Sequence, residues 1–398
     1  MARQIEEAYV VAAARTAVAK RRGAFRHERP DNLLAHVIRG ILSQVPSLDP
    51  ADIGDVVTGC ANPEAEQGLN VSRVGVLLAG LPASVPGYTV SRLCSSGLQA
   101  VALAADRIRL GETHVMLACG TESMSIMPTL SGNKTVVNPA WLTSKRTEAV
   151  AYGMGLTAER VAERWRVSRE TQDAFAAESH RRALEAIAAG HFRDEILPYT
   201  LCEHLPGSGG TSQVIERVFE TDEGPRPGTS VASLAKLKPI FAAGGTVTAG
   251  NSSQMSDGAG AVLLMSAAGL KRYDLKPTAK FVSYAVSGVE PDVMGIGPIE
   301  AIPRALKQAG IKLQDVDWIE LNEAFAAQAV AVMDVLKLDP ARVNPLGGAI
   351  ALGHPLGATG AIRTATIMNA MRRGAAKYGM VTMCIGTGMG AAGIFERL

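Results

Sequence analysis

The sequence predicts an α/β fold built from two copies of one layered unit, with a long insertion in the first copy. Three observations carry that reading: a repeat at one common offset, an insertion of different character, and the composition of an ordinary globular chain. Of 398 residues, 47% are hydrophobic and 20% charged, which leaves ample material for a core. The formal charge is +2 with both signs interspersed, so nothing demands a nucleic acid or an anionic membrane as partner.

The start, MARQIEEAYVVAAART, passes directly into a strand-like run. It has the pattern of neither a secretory signal nor an arginine-rich presequence, and the end, IFERL, is no peroxisomal tripeptide. No window reaches the uninterrupted apolar length of a membrane helix, so the expected compartment is the cytoplasm and no membrane insertion is expected. Lys20, Arg21, Arg22 and Arg26 form a short basic cluster. It reads as a solvated loop, with a phosphate-bearing ligand as the alternative.

Next comes the repeat. DPADIGDVVTGCAN (49–62) resembles LQDVDWIELNEAF (313–325), and CSSGLQAVALAADRIRLGE (94–112) resembles GATGAIRTATIMNAMRRGA (357–375). Asp52, Gly97 and Gly111 meet Asp315, Gly360 and Gly374 at an offset of 263. HVMLACGTE (114–122) matches YGMVTMCIGTG (378–388), each read as an apolar strand ending in a Gly-Thr turn. The closing strands are AGAVLLMSA (259–267) and AAGIFERL (391–398). Strand and helix thus alternate in both copies, which predicts mostly parallel sheets covered by helices.

The insertion carries a helical pattern over 156–190 and Gly/Pro-rich loops such as LPGSGGTSQ and DEGPRPGTS. A mixed segment of that length between two core strands reads as a binding lobe. The expected division is 1–120 with 250–272, then the inserted loop domain at 121–249, then 273–398.

Cys60, Cys94, Cys119, Cys202 and Cys384 are odd in number and widely spaced. They fit a reducing compartment better than a disulfide framework, and no metal-ligand spacing occurs among them. Cys60, Cys119 and Cys202 read as structural. Cys94 sits among small residues ahead of a helix whose dipole favours a thiolate, although a lone cysteine is more often core filler. His354 lies between Gly353 and Pro355 in NPLGGAIALGHPLGATG, a tightly specified loop that fixes an imidazole. A histidine merely bonded within a turn is the bland alternative.

Gly388, Gly390 and Gly393 spell a dinucleotide fingerprint, but five residues after them leave no room for its helix and strand. Asn322 ends the strand WIEL, where it is placed to hold a water or a carbonyl. Two thiols, one imidazole and one amide at corresponding sheet edges suit acyl transfer through a thioester with a second proton transfer.

Together, SRLCSSGLQA, NEAFA, NPLGGAIALGHPLGATG and CIGTGMGAA resemble the signature motifs of the thiolases, in the family's order and along essentially the whole chain. The resemblance implies a duplicated α/β/α/β/α layered core with a loop domain inserted in the first half. It places Cys94 as acyl-accepting nucleophile, His354 as its base and Cys384 as the acid/base at the substrate α-carbon. Asn322 with His354 would frame one oxyanion site through a water, and the N–H groups of Cys94 and Gly386 another.

The same resemblance lines a coenzyme A groove with Arg226, Ser233, Leu237, Ala249 and Ser253, and its inner pantetheine end with Met154, Ala324 and Phe325. Coenzyme A is then a co-substrate, with no tightly bound cofactor and no metal. DEGPRPGTSVASLAKLKP, AGNSSQMSDGAG and YAVSGVEPDVMGIGP look like the degradative 3-ketoacyl-CoA thiolases of fatty-acid β-oxidation. The biosynthetic acetoacetyl-CoA type often carries a histidine where this chain has Gly153, so longer acyl chains are favoured here. A short-chain acetyl-CoA acetyltransferase is the alternative, and a silent acyl-CoA- or lipid-binding relative a remote one. A homodimer or homotetramer is expected, with a hydratase/dehydrogenase subunit as a further partner.

Overall fold

A computed structural model describes residues 5–127, 138–144, 147–206, 212–374 and 376–398; the stretch LPGSGGTSQ falls partly outside them. The first half contributes β1 (Tyr9–Arg15), β2 (Ala19–Lys20), α1 (Pro30–Gln44), β3 (Asp55–Gly59), α2 (Val71–Leu78), β4 (Gly87–Val90), α3 (Ser96–Arg109) and β5 (Val115–Ser123). The inserted segment holds α4 (Met154–Trp165), α5 (Arg169–Ala188), the hairpin β6 (Tyr199–Pro206) and β7 (Ser212–Phe219), and α6 (Val231–Leu234). The chain then returns through β8 (Ser256–Met265) and α7 (Ala267–Tyr273). The second half comprises β9 (Ala279–Gly288), α8 (Gly297–Ala309), β10 (Trp318–Leu321), α9 (Ala326–Leu336), α10 (Ala349–Leu352), α11 (Thr359–Arg372), β11 (Tyr378–Ile385) and β12 (Met389–Arg397).

One large sheet runs in the order β10-β11-β12-β9-β1-β8-β5-β3-β4, with β2 beside β8, and a short contact between β1 and β9 joins its halves. The expectation of mostly parallel sheets is corrected. β3 pairs in parallel with β4 and β5, and β10 with β11, but β8 and β12 run antiparallel to both neighbours. The cause is local in the second half. A three-residue connection between β11 and β12 admits only an antiparallel hairpin.

The repeat survives residue by residue in α3 and α11, whose first and last residues are both 263 apart. Each helix ends at a glycine with positive φ, Gly111 at 66° and Gly374 at 75°, the usual left-handed stop. α3 and α11 pack on each other between the two halves of the sheet, with α1 and α2 outside one half and α8 outside the other. At the crossing, a Cβ on Gly97 would stand 2.7 Å from Ala361 N and one on Gly360 2.0 Å from Leu98 N. Only glycine permits that approach. Leu98, Val101, Ala102, Ala105 and Ile108, the face expected of α3, are all buried.

The Gly-Thr turn holds only for the second copy. Thr387 and Gly388 take positive φ between β11 and β12, whereas β5 runs straight through Gly120 and Thr121 to Ser123, paired with β8 throughout. The inserted segment is anchored by a buried ionic group. Arg15 on β1 donates to Glu195 at 2.7 Å and to both oxygens of Asp222 at 2.7 and 2.9 Å. Glu195 also accepts from Thr366 and Asn369 of α11, each at 3.0 Å. Such pairing is what makes buried charge tolerable.

Candidate active site

Three turns converge where the edges of the two repeats face each other. The first precedes α3. Leu93 takes φ +46°, a left-handed conformation that costs a non-glycine roughly 1–2 kcal/mol, and presents Cys94 at the helix start. The second turn carries His354, whose backbone N–H donates to Gln254 O and Ser256 Oγ, each at 3.2 Å. The third follows β11, where Gly386 lies against Leu93 and Met154 and directs its N–H toward the Cys94 sulfur.

His354 is buried, and Asn322 Nδ2 donates to its Nε2 at 3.3 Å. Asn322 is held by its own N–H on Thr382 O at 2.9 Å, two residues from Cys384 along β11. Its Oδ1 is buried without a partner among the described residues, which leaves an acceptor in the crevice. Burial, reinforced by the Arg363 guanidinium, pushes His354 down to about 3. The imidazole is therefore neutral at physiological pH, the form a base requires.

The helix dipole does not make Cys94 a standing thiolate, contrary to expectation. Burial pushes the thiol up to about 11 against the pull of the Gly386 and Cys94 N–H groups, and the Glu122 carboxylate adds to the rise. From an ordinary 9.0 to about 11 is about 3 kcal/mol against the anion, more than the roughly 0.3–1 kcal/mol a helix N-terminus returns. Desolvation wins, and the resting pair is neutral thiol and neutral imidazole.

Cys384 is fully buried, and its thiol is driven up by burial and then by neighbouring Cys94. It packs in one apolar cluster with Met154, Ala158, Val247, Met294, Ala324 and Phe325. Four positions expected from the sequence, Cys384, Met154, Ala324 and Phe325, therefore meet. Ser253 joins them through its N–H on Ala324 O at 2.9 Å. Leu237 adjoins Gly250, next to Ala249. Arg226 and Ser233 stand exposed farther out, and Ser233 already spends its hydroxyl on Ser230 O at 2.8 Å. No hydrogen bond ties either to the inner cluster among the described residues.

Of the other thiols, Cys60 and Cys119 are buried but Cys202 is exposed, so the structural reading fails for Cys202, which lies on the two-stranded β6–β7 hairpin. In the basic cluster, Lys20 pairs with Glu223 and Arg26 with Glu203, as a solvated loop would. No group of three His, Cys, Asp or Glu side chains suited to a metal ion occurs among the described residues, and no described helix is long and apolar enough to cross a membrane.

Sequence reasoning missed two buried carboxylates. Glu122 accepts from the N–H groups of Ala61 at 2.7 Å and Gly357 at 2.8 Å and from Gln67 Nε2 at 2.7 Å, so it binds the His354 loop to the first half. Glu323 accepts from Ser179, Asn344 and the Ile350 N–H and fixes the turn after Asn322. Both sit at strand ends, the same signal that pointed to Asn322.

Residues 8–268 match the thiolase N-terminal domain and residues 275–397 the thiolase C-terminal domain. The chain is 49% identical over 393 residues to a 3-ketoacyl-CoA thiolase of Bacillus subtilis (strain 168), covering 98% of this chain and 100% of that one. It is 46% identical over 390 residues to the peroxisomal 3-ketoacyl-CoA thiolase of Homo sapiens, covering 97% and 90%. The dimeric peroxisomal thiolase of Saccharomyces cerevisiae superposes with a TM-score of 0.89 at 38% identity over 99% of this chain and 98% of that one. The Bacillus anthracis acetyl-CoA acetyltransferase superposes at 0.90 with 36% identity over 100% of both.

Proposed function

This chain belongs to the thiolase family, and on that premise we propose that it works through an acyl group carried on Cys94. It is an acyltransferase that cleaves 3-ketoacyl-CoA with coenzyme A to acetyl-CoA and a shortened acyl-CoA, the thiolytic step of fatty-acid β-oxidation. Coenzyme A is a co-substrate, and no tightly bound cofactor takes part.

The observations that support the mechanism are the packing of β11 and α11 against the Cys94 turn, the Gly386 N–H directed at the Cys94 sulfur, the neighbouring Cys384 thiol, and a neutral imidazole at His354 held by Asn322. His354 Nε2 takes the Cys94 proton as the sulfur attacks the 3-keto carbon, so charge separates only when it is used. The N–H groups of Cys94 and Gly386 face the reacting sulfur, and Asn322 with His354 borders the crevice beside it. The two N–H donors stabilise the oxygen on which charge grows, and the Asn322 Oδ1 acceptor would hold a water for the second oxyanion position. When the bond to the α-carbon breaks, Cys384 gives its proton to the departing acetyl-CoA enolate. Coenzyme A then takes the acyl group from Cys94, with His354 again receiving the thiol proton.

Gly153 supports a broad chain length, since a Cβ there would meet nothing within 4 Å. A histidine at this position would project into that space beside Met154. The check is a panel of thiolysis rates for acetoacetyl-, medium- and long-chain 3-ketoacyl-CoAs. Wild type is expected to give its highest kcat/KM on the longer substrates, and Gly153→His to lose about tenfold or more on those alone. Wild-type cleavage of acetoacetyl-CoA only would make this a short-chain acetyltransferase.

We read the protein as a homodimer joined through β4. That strand ends the sheet order, and Leu69, Leu77 and Leu78 are exposed at and before the adjoining α2. An open edge with apolar neighbours calls for a partner. Sedimentation at micromolar concentration should give twice the chain mass; a monomer contradicts the reading. The free thiols fit a reducing compartment. The bacterial relative supports the cytoplasm and other relatives are named peroxisomal, and cell fractionation separates the two.

A further inference from the structure

Ser96 and Thr359 occupy one and the same position in the two repeats, 263 residues apart, as the first residues of α3 and α11. Both are buried, and each hydroxyl fastens the turn ahead of its helix. Ser96 Oγ accepts from the Arg92 N–H at 2.9 Å and donates to Leu93 O at 2.7 Å. It thereby brackets the left-handed Leu93 and the nucleophile beside it. Thr359 Oγ1 donates to Pro355 O at 2.9 Å and stands 2.6 Å from His354 Nδ1.

The hydrogen count decides what the second contact is. A hydroxyl carries one proton and a carbonyl oxygen can only accept, so both contacts are hydrogen bonds only when Thr359 donates to Pro355 O. Thr359 therefore accepts from His354, which puts the imidazole proton on Nδ1 and leaves the Nε2 lone pair facing Asn322 and the crevice. Once Nε2 has taken the thiol proton both ring nitrogens are donors, and Thr359 is still the acceptor that Nδ1 needs. The same contact serves the resting and the charged imidazole. Arg363, one turn along α11 and 3.5 Å from Glu320, disfavours a charge that persists.

We propose that Ser96 and Thr359 are paired positioning residues, one repeat's hydroxyl setting the turn of the nucleophile and the other's fixing the tautomer of its base. The inference rests on His354 acting as the base for Cys94. It explains why the turns that carry the thiol and the imidazole both lead into the matching helices of the duplicated unit, Cys94 two residues before Ser96 and His354 five before Thr359. The crossing of α3 and α11 at Gly97 and Gly360, each the next residue along, sets the two hydroxyls relative to each other.

The experiment compares Thr359→Val, Thr359→Ser, Ser96→Ala and His354→Ala in the full-length enzyme, with nitrogen-15 spectra of labelled histidine. Thr359→Val should lower kcat about 10- to 100-fold, leave KM for coenzyme A within about twofold and convert His354 from the Nδ1–H form to a mixture. Thr359→Ser should restore both rate and tautomer. Ser96→Ala should slow iodoacetamide alkylation of Cys94 about tenfold without altering the histidine spectrum. Where valine disturbs packing, Thr359→Ala gives the same readouts. A Thr359→Val enzyme with unchanged kcat and an Nδ1–H imidazole overturns the inference, as does a Thr359→Ser enzyme no better than the valine variant or a Ser96→Ala enzyme alkylated at the wild-type rate. If His354→Ala is inactive while Thr359→Val is unimpaired, the inference alone falls. If His354→Ala turns over normally, the base assignment falls first.

Discussion

Replacing Cys94 by alanine removes thiolysis of acetoacetyl-CoA and of every longer 3-ketoacyl-CoA, a loss on the order of 10⁴- to 10⁶-fold. The size follows from the chemistry. Without sulfur there is no acceptor for the acyl group, and the oxyanion donors have nothing to act upon. The fold survives, because the change removes one atom from a turn that is held by the Ser96 hydrogen bonds to Arg92 and Leu93, which costs about 1 kcal/mol or less. An unchanged melting temperature separates loss of chemistry from loss of structure. The pH dependence supplies a second check. The thiolate is the species that reacts, and burial holds the thiol near 11, so alkylation of the substrate-free enzyme should climb steadily from pH 7 toward pH 11. A plateau below pH 8 would mean a standing thiolate, and the base would then be unnecessary.

The second large effect separates the two thiols. Cys384→Ala lowers carbon–carbon cleavage by about 10²- to 10⁴-fold, the worth of a positioned acid/base. Acyl exchange between a simple acyl-CoA and labelled coenzyme A should persist within about tenfold. That reaction loads and unloads Cys94 without creating an enolate, so it has no use for the second proton donor. The Cys384 thiol is held protonated by burial and by neighbouring Cys94, the form needed to quench an enolate. Equal loss of exchange and cleavage would instead make Cys384 part of the Cys94 site.

How much of this was legible in the sequence depended on the range of the interaction concerned. The offset of 263 paired Gly97 and Gly111 with Gly360 and Gly374, at the crossing and the stop of α3 and α11, because helical spacing and helix-stop signals are local. The cysteine, histidine and asparagine motifs were legible because each carries its own turn glycines or strand end. The antiparallel course of β8 was not, since its direction is set by partners across the whole inserted segment. Nor was the passage of β5 through Gly120 and Thr121, where pairing with β8 overrides a local turn signal. The protonation of Cys94 was misread for a related reason. A dipole can be guessed from a helix start, but desolvation depends on what the other half of the chain places above the thiol. Glu122 and Thr359 escaped because their roles lie in hydrogen bonds to backbone and ring atoms that no spacing rule encodes.

The most direct test of an acyl group carried on Cys94 is peptide mass mapping of the enzyme mixed with acetoacetyl-CoA in the absence of free coenzyme A. The expected result is one acetyl group on the peptide bearing Cys94, lost when coenzyme A is added and never formed in Cys94→Ala. Acetyl on the peptide of Cys384, or steady turnover with Cys94 unmodified, would contradict it.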